Sequence, residues 1–190
     1  MNAPPPPPLA WIVVRRGEAA SKCTIRPLRG TPGLVFLRYP PPRPATPADF
    51  PDALLLAPGA PPLTDADASR PLLLLDASWR HALTMAKAYP GLETRSIPPG
   101  WRTAYPRHSK VTDDPADGLA TVEALHAALA LTGRRDDTLL ARYPWAADYL
   151  RLNAPLLAAC PAPPDGAAPP APPQNSSLPR KNLATAAAEA

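Results

Sequence analysis

Proline limits this chain more than any other residue does: 32 of its 190 positions are proline, against a usual share of ~5%. Each ring fixes φ and removes a backbone donor. Long uninterrupted helices, coiled coils and most membrane-spanning helices are therefore excluded, and without glycine at every third position so is collagen. The prolines fall into three groups: five at Pro4–Pro8, eight after Cys160, and nineteen between Leu9 and Ala159. They divide the chain into a Pro-rich leader (1–8), a domain (9–159) and a Pro/Ala-rich tail (160–190). Leader and tail hold too few large apolar side chains to offset their ordering entropy, so both are expected to be disordered. The hydrophobic share, 45% of the chain, suffices for one core at this length.

No stretch of 18 apolar residues occurs, and no basic segment followed by an apolar one opens the chain as a secretory signal would. Cys23 and Cys160 lie far apart without a CxxC, which argues against a disulfide framework or a zinc site. The expectation is a cytoplasmic protein, with no membrane partner and no metal; the oligomeric state is left open. Basic residues gather in two segments. Arg15, Arg16, Lys22, Arg26, Arg29, Arg38 and Arg43 precede Pro47 with only Glu18 against them. Arg95, Arg102, Arg107, His108 and Lys110 lie between Glu93 and Asp113. Interleaved with Tyr39, Trp101 and Tyr105, these segments read either as a phosphate-binding face or as an ordinary solvated surface.

Short apolar runs at Trp11–Val14, Leu34–Tyr39, Ala53–Ala57, Leu72–Leu75 and Thr94–Ile97 read as strands. The first four show no polar alternation, the habit of parallel strands covered on both faces. Helices are expected at Ser78–Tyr89, with Trp79, Ala82, Leu83, Ala86 and Tyr89 on one stripe, and at Thr121–Leu131, amphipathic with Leu125, Ala128 and Leu129 inward and capped by Gly133. A last helix within Trp145–Cys160 is weakened by Pro155. The fold class is α/β, a mostly parallel sheet with helices on both faces.

Ligands of such sheets bind beyond the carboxyl ends of the strands. The end at Leu75-Asp76-Ala77-Ser78-Trp79 offers a carboxylate and an aromatic face to one cationic ligand. Asp76 also reads as a group satisfying the N–H donors of the next helix, Ser78 as its N-cap, and Trp79 as core. His81 and His126 read as helix-face residues, and no P-loop, GxGxxG or nucleophilic triad is present.

The segment Leu75-Asp76-Ala77-Ser78-Trp79-Arg80-His81-Ala82 resembles the D-x-[ST]-W-x-x-A core of the DTW-domain family. Further matches follow in order: Ser21-Lys22-Cys23-Thr24, Leu56-Ala57-Pro58-Gly59, Tyr105-Pro106-Arg107-His108-Ser109-Lys110, and Gly118-Leu119-Ala120-Thr121-Val122-Glu123-Ala124-Leu125. The resemblance spans Trp11 to Arg151. It implies a SPOUT-like fold with a C-terminal knot and S-adenosylmethionine as cofactor. The implied reaction transfers the 3-amino-3-carboxypropyl group to a uridine of RNA and releases methylthioadenosine. By position, Leu56, Pro58 and Trp79 would flank the adenine, while backbone near Leu75 and Ile97 would hold the ribose. Thr24 would take the methionine carboxylate, and Ala82 would line the methyl pocket. Asp76 would be either general base or electrostatic anchor, with anchor preferred. Arg26, Arg95, Arg102, Tyr105, Arg107 and Lys110 would meet RNA, and Trp101 or Tyr105 would stack on a base.

Ser78 stands where the tRNA branch has threonine, and Ala120 where serine is common. The cysteine-rich N-terminal element of many tRNA-modifying members is missing, as is the asparagine-rich loop of the ribosomal branch, where Pro98-Pro99-Gly100-Trp101 stands. The tRNA reading is preferred, with ribosomal RNA as alternative substrate. The rival readings are a SPOUT-type RNA methyltransferase and a non-catalytic RNA-binding protein.

Overall fold

A computed structural model of the chain describes residues 7–17, 23–43, 45–106 and 118–161. Five strands, β1 (Ala10–Arg15), β2 (Leu34–Tyr39), β3 (Leu54–Leu56), β4 (Leu72–Asp76) and β5 (Glu93–Arg95), form one sheet in the order β2-β1-β4-β3-β5. Every pairing is parallel. Four α-helices accompany it: α1 (Trp79–Ala86), α2 (Thr121–Leu131), α3 (Ala146–Leu152) and α4 (Ala154–Ala159).

The unbroken apolar runs are explained by what covers each face. Ala10, Ile12, Leu54, Leu72 and Leu74 point into a core shared with α2 and with Tyr149 and Leu157 of α3 and α4. Trp11, Val13, Leu55 and Leu73 point the other way, against Phe50, Met85 and Tyr89. Successive strand side chains alternate between faces, so a strand buried on both sides shows no polar alternation. On the second face Trp11, Phe50 and Tyr89 meet edge to face, at centroid separations of 5.4 and 5.6 Å.

Three expectations require correction. The inner stripe of α1 includes Met85, 1% exposed, while Leu83 stands 61% exposed. Leu83 lies one residue outside the arc of Ala82, Met85, Ala86 and Tyr89, which the sheet covers. α2 is buried nearly all round, from Val122 to Ala130, because the sheet lies on one side and the segments 101–105 and 137–157 on the other. The helix expected within Trp145–Cys160 is two helices meeting at Asn153. Pro155 sits in the first turn of α4, where its missing N–H leaves nothing unbonded. The Asn153 side chain accepts from Arg102 N at 2.8 Å and donates to Arg102 O and Tyr149 O, both at 2.8 Å.

α2 ends as expected. Gly133, at φ +69°, takes the left-handed conformation that glycine adopts without Cβ strain. Its N–H reaches Ala130 O at 3.1 Å, and Arg134 N reaches Leu129 O at 2.7 Å, the paired closure of a Schellman stop. Among the described residues no helix is long and apolar enough to cross a membrane.

Candidate functional site at the carboxyl ends of β1 and β4

From β1 the chain turns out to β2 at one edge of the sheet, while β4 lies on β1's other side and leads toward β5. The connections therefore part between β1 and β4, where open parallel sheets hold ligands. Two residues meet across this divide. Asp76, the last residue of β4, is 6% exposed. Its Oδ2 accepts the thiol of Cys23, from the segment after β1, at 3.2 Å. Its Oδ1 accepts the hydroxyl of Thr121, the first residue of α2, at 2.7 Å. One residue on, the Thr24 hydroxyl oxygen accepts Val122 N at 3.5 Å. Three segments thus converge on one carboxylate.

That carboxylate raises the Cys23 thiol. Burial is the largest cause, followed by the charge of Asp76 and its hydrogen bond, and together they lift the pKa to about 11. At neutral pH Cys23 is a thiol donor and not a thiolate nucleophile.

Asp76 does not cap α1: its hydrogen bonds go to Cys23 and Thr121. Nor does the Ser78 hydroxyl, which pairs with His81 Nδ1 at 2.7 Å although Ser78 occupies the N-cap position. Trp79 is half-buried, and its indole lies against the backbone of Gly118 just before α2. A Cβ at residue 118 would fall 2.5 Å from Trp79 Nε1, so only glycine fits.

The other residues expected around a cofactor lie on both faces of the sheet and in the turn after β3. Leu56 ends β3 and Ile97 follows β5; both are partly buried on the α2 side. Leu75 packs on the α1 side, Ala82 is half-buried on α1, and Pro58 is exposed in the turn that Gly59 completes. The Asp76 carboxylate suits the cationic end of a ligand and the Trp79 ring a flat apolar part, so the residues present fit S-adenosylmethionine.

The residues expected to bind RNA separate into groups. Arg95 is tied to Asp67 at 3.1 Å and Glu93 at 2.6 Å, so it belongs to an ion-pair cluster and not to a phosphate site. Trp101 is 3% exposed and stacked at 6.5 Å on Tyr149, which removes it from base stacking. Tyr105 is half-buried, with its ring 5.3 Å from Trp145. Arg102 holds its side chain outward while Asn153 fixes its backbone. Arg26 is exposed in the wall of an open depression of about 460 Å³. Ser21, Lys22, Arg107, His108, Ser109 and Lys110 lie outside the described residues, as do 1–6 and 162–190.

Two further polar groups support the site. Glu123, fully buried on α2, accepts Thr103 Oγ1 at 2.6 Å and Ala104 N, Ala120 N and Tyr143 Oη at 2.8 Å each. It ties the start of α2 to the 103–105 segment. His126 is also fully buried, on an inward face of α2. Its Nε2 lies 2.9 Å from Asp137, which Arg135 grips at 2.7 and 2.8 Å. Glu123 and Thr121 stand in the quoted motif, but apart from Ala120 N, three residues before Glu123, their partners are distant in sequence and no local pattern announces them.

The fold and site define a parallel α/β domain with a buried carboxylate where its strand connections part. No family model matches the chain, and no curated protein matches it. Among solved structures it is similar to Tsr3 from Vulcanisaeta distributa, an SAM-dependent rRNA:acp-transferase. The TM-score is 0.61 at 25% identity, covering 80% of this chain and 82% of that one.

Proposed function

We propose that this protein transfers the 3-amino-3-carboxypropyl group of S-adenosylmethionine to a uridine of RNA. The observation that carries the reading is the Asp76 carboxylate, held by Cys23 and Thr121 beside Trp79 at the divide between β1 and β4. Similarity to an SAM-dependent rRNA:acp-transferase over 80% of the chain supports it independently. The reading extends to the fold, SPOUT-like with a C-terminal knot, and to the cytoplasm as place of action.

Bound S-adenosylmethionine would supply a sulfonium-activated γ-carbon: as the uridine nitrogen, its proton lost to solvent, bonds to that carbon, the carbon–sulfur bond would break and methylthioadenosine would leave. The chain's own residues orient and hold. Asp76 is an electrostatic anchor: its two oxygens already take Thr121 and Cys23, and its charge faces the cationic end of the ligand. Leu56, Pro58 and Trp79 flank the adenine, and backbone at Leu75 and Ile97 meets the ribose. Thr24 meets the methionine carboxylate from the start of α2, where backbone N–H groups favour an anion. Ala82 lines the methyl pocket, and presenting the γ-carbon in place of the methyl decides the outcome by orientation.

tRNA is the preferred substrate, because the asparagine-rich loop of the ribosomal branch is replaced by Pro98-Pro99-Gly100-Trp101. The ribosomal RNA activity of the similar structure favours a second reading, in which rRNA is the acceptor. Two labels of S-adenosylmethionine test the proposal, offered with tRNA and small-subunit rRNA transcripts. Carboxyl label is expected in RNA and methyl label in methylthioadenosine. Methyl label in RNA would make the protein a methyltransferase, and label in neither RNA would remove the activity. The transcript that gains carboxyl label identifies the branch.

A further inference from the structure

The open depression beside the site is built from two distant parts of the chain. Cys23, Arg26, Pro27 and Arg29 come from the connection between β1 and β2, and Arg142 follows the turn at Asp137–Leu140. Its charged side chains are all arginines, and among the described residues none of the three makes an ion pair. Arg70, Arg95, Arg135 and Arg151 are matched with Glu93, Asp67, Asp137 and Asp148. Other arginines without an ion pair among the described residues, such as Arg38, Arg80 and Arg102, do not line this depression. Three guanidiniums around one depression repel one another and carry that cost without an internal counter-charge. An anion from outside removes it.

Geometry makes the site selective. Arg29 lies over the ring of Phe36, its guanidinium carbon 4.7 Å from the centroid. Stacking on an aromatic face fixes the plane of the guanidinium and leaves its N–H edge to approach a ligand. Planar forks of this kind match phosphate oxygens two at a time. The depression is also coupled to the candidate centre, because Cys23 lines its wall and donates to Asp76. Phosphates flanking a base that reached Asp76 would lie on the side where Cys23 opens into this depression. We propose that Arg26, Arg29 and Arg142 form a phosphate-binding site for the RNA backbone flanking the target nucleotide, an inference that rests on the proposed function.

A free phosphate or the carboxylate of a small ligand shares this chemistry, and the experiment separates the sources. Full-length protein is titrated with a tRNA transcript at several salt concentrations, and with S-adenosylmethionine by calorimetry. Each phosphate contact adds ~0.7–0.9 to the slope of log affinity against log salt. The variant Arg29→Gln/Arg142→Gln is expected to lose ~1.4–1.8 of that slope and to bind the transcript on the order of tenfold more weakly at 0.1 M salt. Its affinity for S-adenosylmethionine is expected to stay that of the unaltered protein. Arg151→Gln, on the exposed Arg151–Asp148 pair, is the control for net charge and is expected to keep the full slope.

An unchanged slope in the double variant overturns the phosphate site while leaving the proposed function standing. An equal loss of slope in Arg151→Gln overturns it too, by showing bulk charge at work. Weakened cofactor binding with unchanged RNA binding assigns the arginines to the small ligand and also overturns it. An unaltered protein that binds neither RNA nor S-adenosylmethionine overturns both proposals together.

Discussion

Cys23 and Asp76 are 53 positions apart in the chain and 3.2 Å apart in the fold, and each reports on the other. Burial is the largest single cause that lifts the thiol to about 11, followed by the Asp76 charge and its hydrogen bond. Asp76→Asn keeps an oxygen acceptor for Thr121 but removes that charge, so the Cys23 pKa is expected to fall toward its ordinary value. Alkylation at pH 8 follows the thiolate fraction, and at Cys23 it is expected to quicken several-fold in the variant. Cys160, raised by burial without Asp76, is the internal control and is expected to react at its original rate. Peptide-resolved alkylation kinetics read both, and an unchanged Cys23 rate would mean that burial alone holds the thiol. The same variant is expected to lose most transfer activity while remaining folded, since the anchor acts through its charge.

Among the elements, α2 does most to organise the site, through a residue with no apolar contribution. Glu123 receives four donors on its two oxygens, as many as a carboxylate's lone pairs accommodate. Glu123→Gln preserves the shape and replaces one acceptor oxygen with an NH₂ group facing donors. The expected cost is about 1–3 kcal/mol in urea unfolding, with faster amide exchange at Ala104. Equal stability and exchange would show that the hydrogen bonds to Glu123 hold nothing. The elements themselves are largely legible in the sequence. The run at 72–75 is a strand because leucine covered on both faces needs no alternation, and α2 spans Thr121–Leu131 as its capping pattern requires. The run at 34–39 is also a strand, but at the sheet edge, where Val35 is 39% exposed and not covered on both faces as expected. Illegible was whatever depends on which distant segment arrives opposite. Leu83 and Met85 are equally apolar, and only the position of the sheet decides that Met85 is inside. Trp101 and Arg95 carry the composition of an RNA contact, but Tyr149 and Asp67 occupy them first. Arg142 lay in neither basic segment and enters the site only because the 137–140 turn returns it toward Arg26.

At the scale of the molecule, that turn is held by one buried ion cluster, and it makes stability depend on acid. Asp137 is 8% exposed and accepts from His126 and Arg135. Burial works against its charge, but the hydrogen bonds from His126 and Arg135 outweigh it and hold the carboxyl below its ordinary range. The unfolded chain, with an ordinary value of ~3.9, takes up this proton first as acid is added. The cluster's contribution is therefore complete above about pH 4–5 and is lost as pH falls through the lower, folded value. Asp137→Asn removes the charge at every pH. It is expected to cost about 3–5 kcal/mol near pH 7, the range for breaking a buried pair, and less as the pH approaches 3. Subtracting the two urea-unfolding curves cancels every other carboxylate and isolates this one. A difference constant from pH 3 to 7 would mean that the native carboxyl titrates as it does in the unfolded chain. A difference that shrinks on acidification would locate the acid-labile clamp between α2 and the turn that carries Arg142. Because Arg142 follows this turn, acid is then expected to weaken the arginine site before the parallel sheet itself unfolds.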